Sequence, residues 1–457
     1  MTRAGPRRAR ARLGGTAVAL GTLLVASAHV GTSNAYFEGA AGPYPIRVIV
    51  RTPGVIPGLA EVTVRVLGDA LPSRITVRPL RWDAGLEGAP PPDTARAVPG
   101  EPGLYAAELW LMTTGSYSVR VDVTGEAGEG AATVPVNALA ERRLEMNRLM
   151  AAALIGAGVF LFVGAITIFG AAVRESVVEP GAAPPPGRRR AALVAMGAGA
   201  VVIAALLWGG WSWWGAVDRA YRAGIFRPLE TAAAVDGAEG APRLTLRIVD
   251  PSWRGRSWTP LIPDHGKLMH MFLVAEDGLA AFAHLHPAPV DSSAFATALP
   301  PLPAGGYRLY ADIVHEDGFA ETLVDTVALA AASPAADAAA SGGAGGALDP
   351  DDSWAALPPH GAAAGSSYTL PSGRRMAWVS GRDLRADEEA SLAFRVTEPD
   401  GAPAALEPYM GMLSHAVVTN PEGSLFVHVH PAGSISMAAM ARFAAGSGAA
   451  AGLAAAG

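Results

Sequence analysis

The chain is 457 residues long and 50% hydrophobic, with a formal net charge of −6 and no cysteine. Such a length accommodates two or three domains, and a negative balance with no basic run outside the membrane flanks excludes a nucleic-acid partner. The lack of thiols excludes disulfides and thiolate chemistry and leaves methionine as the one soft metal ligand. Lys267 is the single lysine.

In chain order, the N-terminus has the layout of an export signal, expected to span 1–35. It has a basic stretch from Arg3 to Arg12, an apolar segment from Leu13 to Val25, and small residues at Ala26, Ala28, Ser33 and Ala35 where a peptidase can cut; an uncleaved anchor is the alternative. Residues 36–146 then alternate apolar and polar with period two. Ile46–Val50, Glu61–Val66, Arg74–Val77, Leu104–Trp110 and Tyr117–Val123 are separated by Gly/Pro clusters, which predicts an antiparallel β-sandwich.

Two charge-free apolar segments follow, Met150–Val173 and Ala191–Trp214, within expected membrane spans of 147–173 and 191–214, each long enough to cross a bilayer as a helix of about 20 residues. The connection at 174–190 carries Arg174, Arg188, Arg189 and Arg190, and short arginine-rich loops stay cytoplasmic. Trp208, Trp211, Trp213 and Trp214 crowd the far end of the second segment, where indoles favour the headgroup layer. The expectation is a helical hairpin in a bacterial inner (cytoplasmic) membrane, with the soluble domains facing the periplasm or cell exterior. Neither segment holds an ionisable residue, so the hairpin reads as an anchor and not as an ion path.

Residues 215–329 predict a second sandwich, 330–373 an Ala/Gly/Ser-rich linker, 374–443 a third unit and 444–457 a low-complexity tail. The third unit is expected to be incomplete, since no counterpart of the second domain's Gly305-Gly306-Tyr307 strand and its successor follows His430.

These last two units share one pattern. A strand with methionine and histidine, Met269-His270-Met271, is followed after a turn by His284-Leu285-His286-Pro287; likewise Met410-Gly411-Met412 and His415 precede His428-Val429-His430-Pro431. Eight of the ten histidines lie in or near these segments, His29 and His360 being the others. Alternate strand residues share a face, so His284 pairs with His286, and His428 with His430. In one register His270 lies opposite His284 and His415 opposite His428, with loops of three and two residues, and three nitrogens converge. In a slipped register Met269 and Met271 stand beside His284 and His286, giving a mixed nitrogen and thioether set. Met410, Met412, Met437 and Met440 add thioethers around the second copy. Thioether with imidazole and no cysteine favours copper. The competing reading is polar decoration of a duplicated module, with the methionines as core fillers.

The first domain and its anchor resemble the YtkA/FixH-like group of bacterial membrane-attached β-sandwich proteins, a likeness carried by Leu104–Val123. The Met/His hairpins resemble those of exported bacterial proteins and are similar to the copper-binding periplasmic sandwiches of the CopC type in ligand chemistry and fold class alone. The resemblance implies membrane attachment and immunoglobulin-like β-sandwich domains and leaves activity open. No Ser/His/Asp order, phosphate loop or paired-carboxylate pocket stands out, so the expectation is a non-enzymatic protein. It is either a copper binder for metal handling or oxidase assembly, with another membrane or periplasmic protein as partner, or a structural and interaction protein.

Overall fold

The computed structural model describes residues 34–179, 181–237, 242–253, 261–277, 279–330, 348–356, 367–379, 385 and 391–447. The expected export signal up to residue 33, most of the linker, His29, His360 and residues 448–457 lie outside the described residues. Among the described residues the fold is mostly β-sheet, with two long apolar helices and one short helix.

The first unit contains β1 (Ala35–Ala41), β2 (Tyr44–Arg51), β3 (Gly58–Val66), β4 (Arg74–Arg81), β5 (Asp93–Ala97), β6 (Leu104–Leu111), β7 (Gly115–Gly125) and β8 (Gly128–Ala138). Their order is β1-β2-β3-β6-β5-β4-β7-β8, with β5 bonded to both β4 and β6 and so joining two sheets. The inward residues of the alternating strands, among them Ile46, Val48, Val62, Val64, Ile75, Val119 and Val121, fill one core.

Helix α1 (Arg148–Glu175) is capped by Asn147, whose side chain accepts from the N–H groups of Leu149 and Met150. Helix α2 (Pro186–Ala223) starts on a proline, which loses no helical hydrogen bond there. Both are long and apolar enough to cross a membrane. With 28 and 38 residues, they reach about 42 and 57 Å at 1.5 Å per residue. The second therefore outruns the expected 191–214 span, its last turns carrying Asp218, Arg219 and Arg222. The helices run antiparallel, with Gly170 against Met196 and Gly199 against Phe169. Arg143 pairs with Asp218 at 3.2 Å, and the Tyr221 hydroxyl donates to the Arg142 carbonyl at 3.0 Å. Both β-rich regions thus leave the hairpin at the same end.

The second unit has β9 (Thr231–Asp236), β10 (Arg243–Ile248), β11 (His270–Ala275), β12 (Ala281–Leu285), β13 (Ala288–Asp291), β14 (Ala294–Ala298), β15 (Gly305–Val314) and β16 (Ala320–Leu329). They form sheets β13-β14-β10-β9 and β16-β15-β11-β12-β17, the last strand being β17 (Ser353–Ala356). β17 corrects the linker expectation: this piece of 330–373 is an edge strand, pairing Ser353 with His284 and Trp354 with Ala283. Leu244, Leu246, Met269, Met271, Leu273 and Leu285 are among the residues that fill the space between the sheets.

The third unit contains β18 (Ser367–Thr369), β19 (Arg375–Trp378), β20 (Phe394–Thr397), β21 (Ala416–Thr419), β22 (Phe426–Val429) and α3 (Met437–Ser447). Helix α3 occupies the first residues of the expected tail. Its Ala438, Ala439 and Met440 join the core of the first unit, and the loop before it pairs with β1, where Phe37 bridges Gly433. Gly433 sits at φ 112, and a Cβ there would come within 1.9 Å of the Tyr36 carbonyl oxygen, so only glycine fits. The β21–β22 hairpin lies on the outer face of the β11–β12 sheet. Phe272, Val274, Tyr310 and Phe426 make a small core there, with Phe426 stacked on Tyr310 at 4.1 Å.

Candidate metal centre

Each hairpin is preceded by the same tight turn. Asp264 and Lys267 exchange backbone hydrogen bonds of 2.9 and 2.8 Å, and Tyr409 and Met412 do so at 2.8 and 3.1 Å. The central residues are left-handed in both, His265 (φ 48) with Gly266 (φ 81) and Met410 (φ 53) with Gly411 (φ 80), which is the pattern of a type I′ turn. Met410 therefore holds the place of His265, and Met412 that of Lys267.

Neither expected register occurs. β11 and β12 pair Met271 with Leu285 and Phe272 with His284, so the next step sets His270 opposite His286. β21 and β22 pair Ala416 with Val429 and Val417 with His428, which sets His415 opposite His430. The pairing is offset by two residues from the in-line expectation, and the loops are longer than three and two residues, Glu276–Ala280 and Asn420–Leu425 separating the strands. An offset of two preserves the face of every side chain. His270, His284 and His286 still share one face, whereas Met269 and Met271 point to the other and are fully buried in the second unit's core. The mixed thioether set is thereby corrected for the first hairpin. Met440 likewise lies in the core of the first unit.

The two histidine faces meet. Seven histidines converge: 265, 270, 284 and 286 from the first copy and 415, 428 and 430 from the second. Ring centroids lie 4.5 Å apart for His284–His286, 5.3 Å for His270–His284, 4.4 Å for His428–His430, 5.0 Å for His415–His430 and 5.8 Å for His284–His428. Phe272 stacks flat on His284 at 4.4 Å and meets His428 edge-on at 4.8 Å, so one ring fixes a histidine from each hairpin. His315 stands apart, 3.4 Å from Glu321 and edge-on to Trp253.

Hydrogen bonds fix the tautomers of the first triad. His270 Nε2 lies 3.1 Å from the Asp264 carbonyl, which only accepts, so Nε2 carries the proton and Nδ1 is bare. The Tyr409 hydroxyl donates to the Asp351 carbonyl, leaving its oxygen to accept from His284 Nδ1 at 3.3 Å, so His284 Nε2 is bare. His286 Nδ1 lies 3.1 Å from the Asp352 carboxylate, which fixes its proton and frees Nε2. Burial, reinforced by the neighbouring rings, lowers His270 to about 3 and pushes His284 well below the ordinary imidazole value, so both are neutral near pH 7. Two bare nitrogens, His270 Nδ1 and His284 Nε2, consequently face each other at 3.0 Å with no proton between them.

Lone pairs at that distance repel unless a cation lies between them. Two metal–nitrogen bonds of about 2.0–2.1 Å span 3.0 Å at an angle near 95°. One ligand atom each from His270, His284 and His286 lies within 4.8 Å of the others, and the same holds for His265, His415 and His430, and for His286, Asp349 and Asp352. In the second copy His428 Nδ1 lies 3.3 Å from the Asp312 carboxylate, while His428 Nε2 and both nitrogens of His415 and His430 are buried without a partner. Burial lowers His415 to about 4 and His430 to about 2. Each unsatisfied buried nitrogen costs roughly 1–3 kcal/mol, a cost that coordination removes. A cavity of about 160 Å³ beside His270, His428 and His430, walled also by Asp264, Lys267 and Asp312, gives access to the cluster.

Sequence reasoning missed His265, Asp312, Asp352 and Tyr409. The signal for His265 was the left-handed pair repeated in both copies, His265-Gly266 and Met410-Gly411. The aspartates had none, being set in a low-complexity stretch and on a strand far in sequence. No curated protein matches the chain. Residues 372–451, which hold the second hairpin and α3, match a family model described as a domain of unknown function (DUF8832).

Proposed function

We propose that this chain is a membrane-attached extracytoplasmic protein that holds a transition-metal ion, copper, on the imidazoles of its Met/His hairpins, for metal handling or oxidase assembly in the bacterial inner membrane. The observation that carries the reading is the pair of bare nitrogens on His270 and His284, 3.0 Å apart. The carboxylate on His286 Nδ1 has the form of the outer support that orients metal-bound imidazole. With the thioethers of the first hairpin turned into the core, the donors are nitrogens, which suit zinc, copper, nickel and iron, and the Irving–Williams order ranks Cu(II) highest. The arginines at 174–190 support placing the connection inside and both β-rich regions outside. The two-sheet units fit the immunoglobulin-like class and the YtkA/FixH-like resemblance.

The test is elemental analysis of the full chain in detergent after exposure to Cu(II) and Zn(II) and removal of free ion. Bound copper in the wild type, reduced in a His270→Ala/His284→Ala variant, supports the reading. Equal copper in both overturns it. The rival, a structural and interaction protein of immunoglobulin-like modules, is favoured by the docking of the third unit on the other two through Gly433 and Tyr310, and it takes over if no metal binds.

A further inference from the structure

We infer that the two hairpins together build a two-metal centre, in which a second first-row divalent transition-metal ion sits on His265, His415 and His430; this rests on the metal reading above. The two ligand groups, His270/His284/His286 and His265/His415/His430, share no residue. Their distinguishing feature is where the third ligand comes from. His415 and His430 lie across from each other in the second hairpin. His265 belongs to the turn of the first hairpin, and its ring is 5.2 Å from His415 and 5.4 Å from His430.

The exchange is reciprocal. The second hairpin's turn sends Tyr409 over the first triad, where its hydroxyl oxygen accepts from His284 Nδ1. Each triad is therefore finished by the other copy's turn, by a metal ligand in one direction and a ligand-orienting phenol in the other. His265 Nε2 is buried and unpartnered, as are both nitrogens of His415 and His430. A neutral imidazole has one donor and one acceptor, so five nitrogens without a protein partner on three neighbouring rings fit a coordination site. His428 lies between the groups, 5.8 Å from His284 and 4.4 Å from His430, with Nδ1 held by Asp312 and Nε2 idle.

Charge is complementary. Two divalent ions bring four positive charges into a buried region flanked by the carboxylates of Asp312, Asp349, Asp351 and Asp352, with Lys267 ion-paired to Asp349 and Asp351 as the opposing cation.

The probe is Cu(II) itself, titrated into the full chain in detergent after stripping with a chelator, read by elemental analysis and electron paramagnetic resonance. The wild type should hold two ions per chain with a half-field signal from two coupled spins. His265→Asn, chosen because asparagine tolerates the left-handed backbone, should hold one ion with an isolated Cu(II) signal, as should His415→Gln, which leaves the turn untouched. One ion in the wild type, or two retained in both variants, overturns the two-metal centre and leaves the first site standing. No ion in the wild type overturns both.

Discussion

The Asp352 carboxylate oxygen Oδ1 accepts twice from His286, from the backbone N–H at 2.8 Å and from ring Nδ1–H at 3.1 Å. Both side chains are almost wholly buried, so the carboxylate sets the tautomer and tilt of the ring. Removing such a support typically costs 10–100-fold in metal affinity. Asp352→Ala should weaken Cu(II) binding by about that factor in a competition titration against a coloured chelator, and an unchanged affinity would remove Asp352 from the site.

Met271 and His270 are neighbours in β11 with opposite duties. Met271→Ala should destabilise the second unit by about 2–5 kcal/mol, the usual cost of emptying a buried long side chain, with Cu(II) affinity of the folded fraction unchanged. Met271→Leu should leave both nearly unaltered. His270→Ala should reverse the pattern, sharply reducing copper binding. Loss of copper binding in the folded Met271→Leu variant would put the thioether back among the ligands.

The metal-free protein should be acid-labile. The folded values of His270 and His415, about 3 and 4, lie below the ordinary imidazole value near 6.5. Between those values and 6.5 the unfolded chain binds more protons, so stability rises with pH in that window, is fully present above it and falls as pH drops through 6.5. By pH 5 each of the two histidines should have cost about 1–2 kcal/mol. Urea midpoints of the metal-free chain at pH 7.5 and pH 5 check this, and equal midpoints would falsify the neutral, buried state of these rings.

If both β-rich regions lie outside, a cysteine placed at Ser252 should react in intact cells with a membrane-impermeant thiol reagent, and one at Ala182 should not. The chain has no native cysteine to confuse the label. Reaction at 182 alone would invert the topology.

Period-two alternation was enough to locate β2, β3, β4, β6 and β7, where β-branched residues alternate with polar ones. It passed over β5, β8, β9 and β14, whose alanine- and glycine-rich stretches such as Thr231–Asp236 carry little hydrophobic contrast. In the hairpins alternation decides parity but not offset. The face shared by His270, His284 and His286 was therefore legible, whereas Phe272 opposite His284 was not, because the offset depends on where the strands part into their loops. The meeting of the hairpins was invisible for a different reason: Tyr310 with Phe426 and His284 with His428 are contacts between segments far apart in the chain.

That separation has a consequence in time. The first triad and its aspartate are all synthesised before the second hairpin, and the bridge that seats the third unit joins Tyr36 to Ser434 across 398 positions. Contacts of such span close slowly. A newly made chain should therefore pass through a period with one half-built, open-sided pocket, exchanging ions readily, before the last hairpin folds over it like a latch. Copper uptake by nascent protein should accordingly show a fast, reversible phase followed by a slow, retentive one.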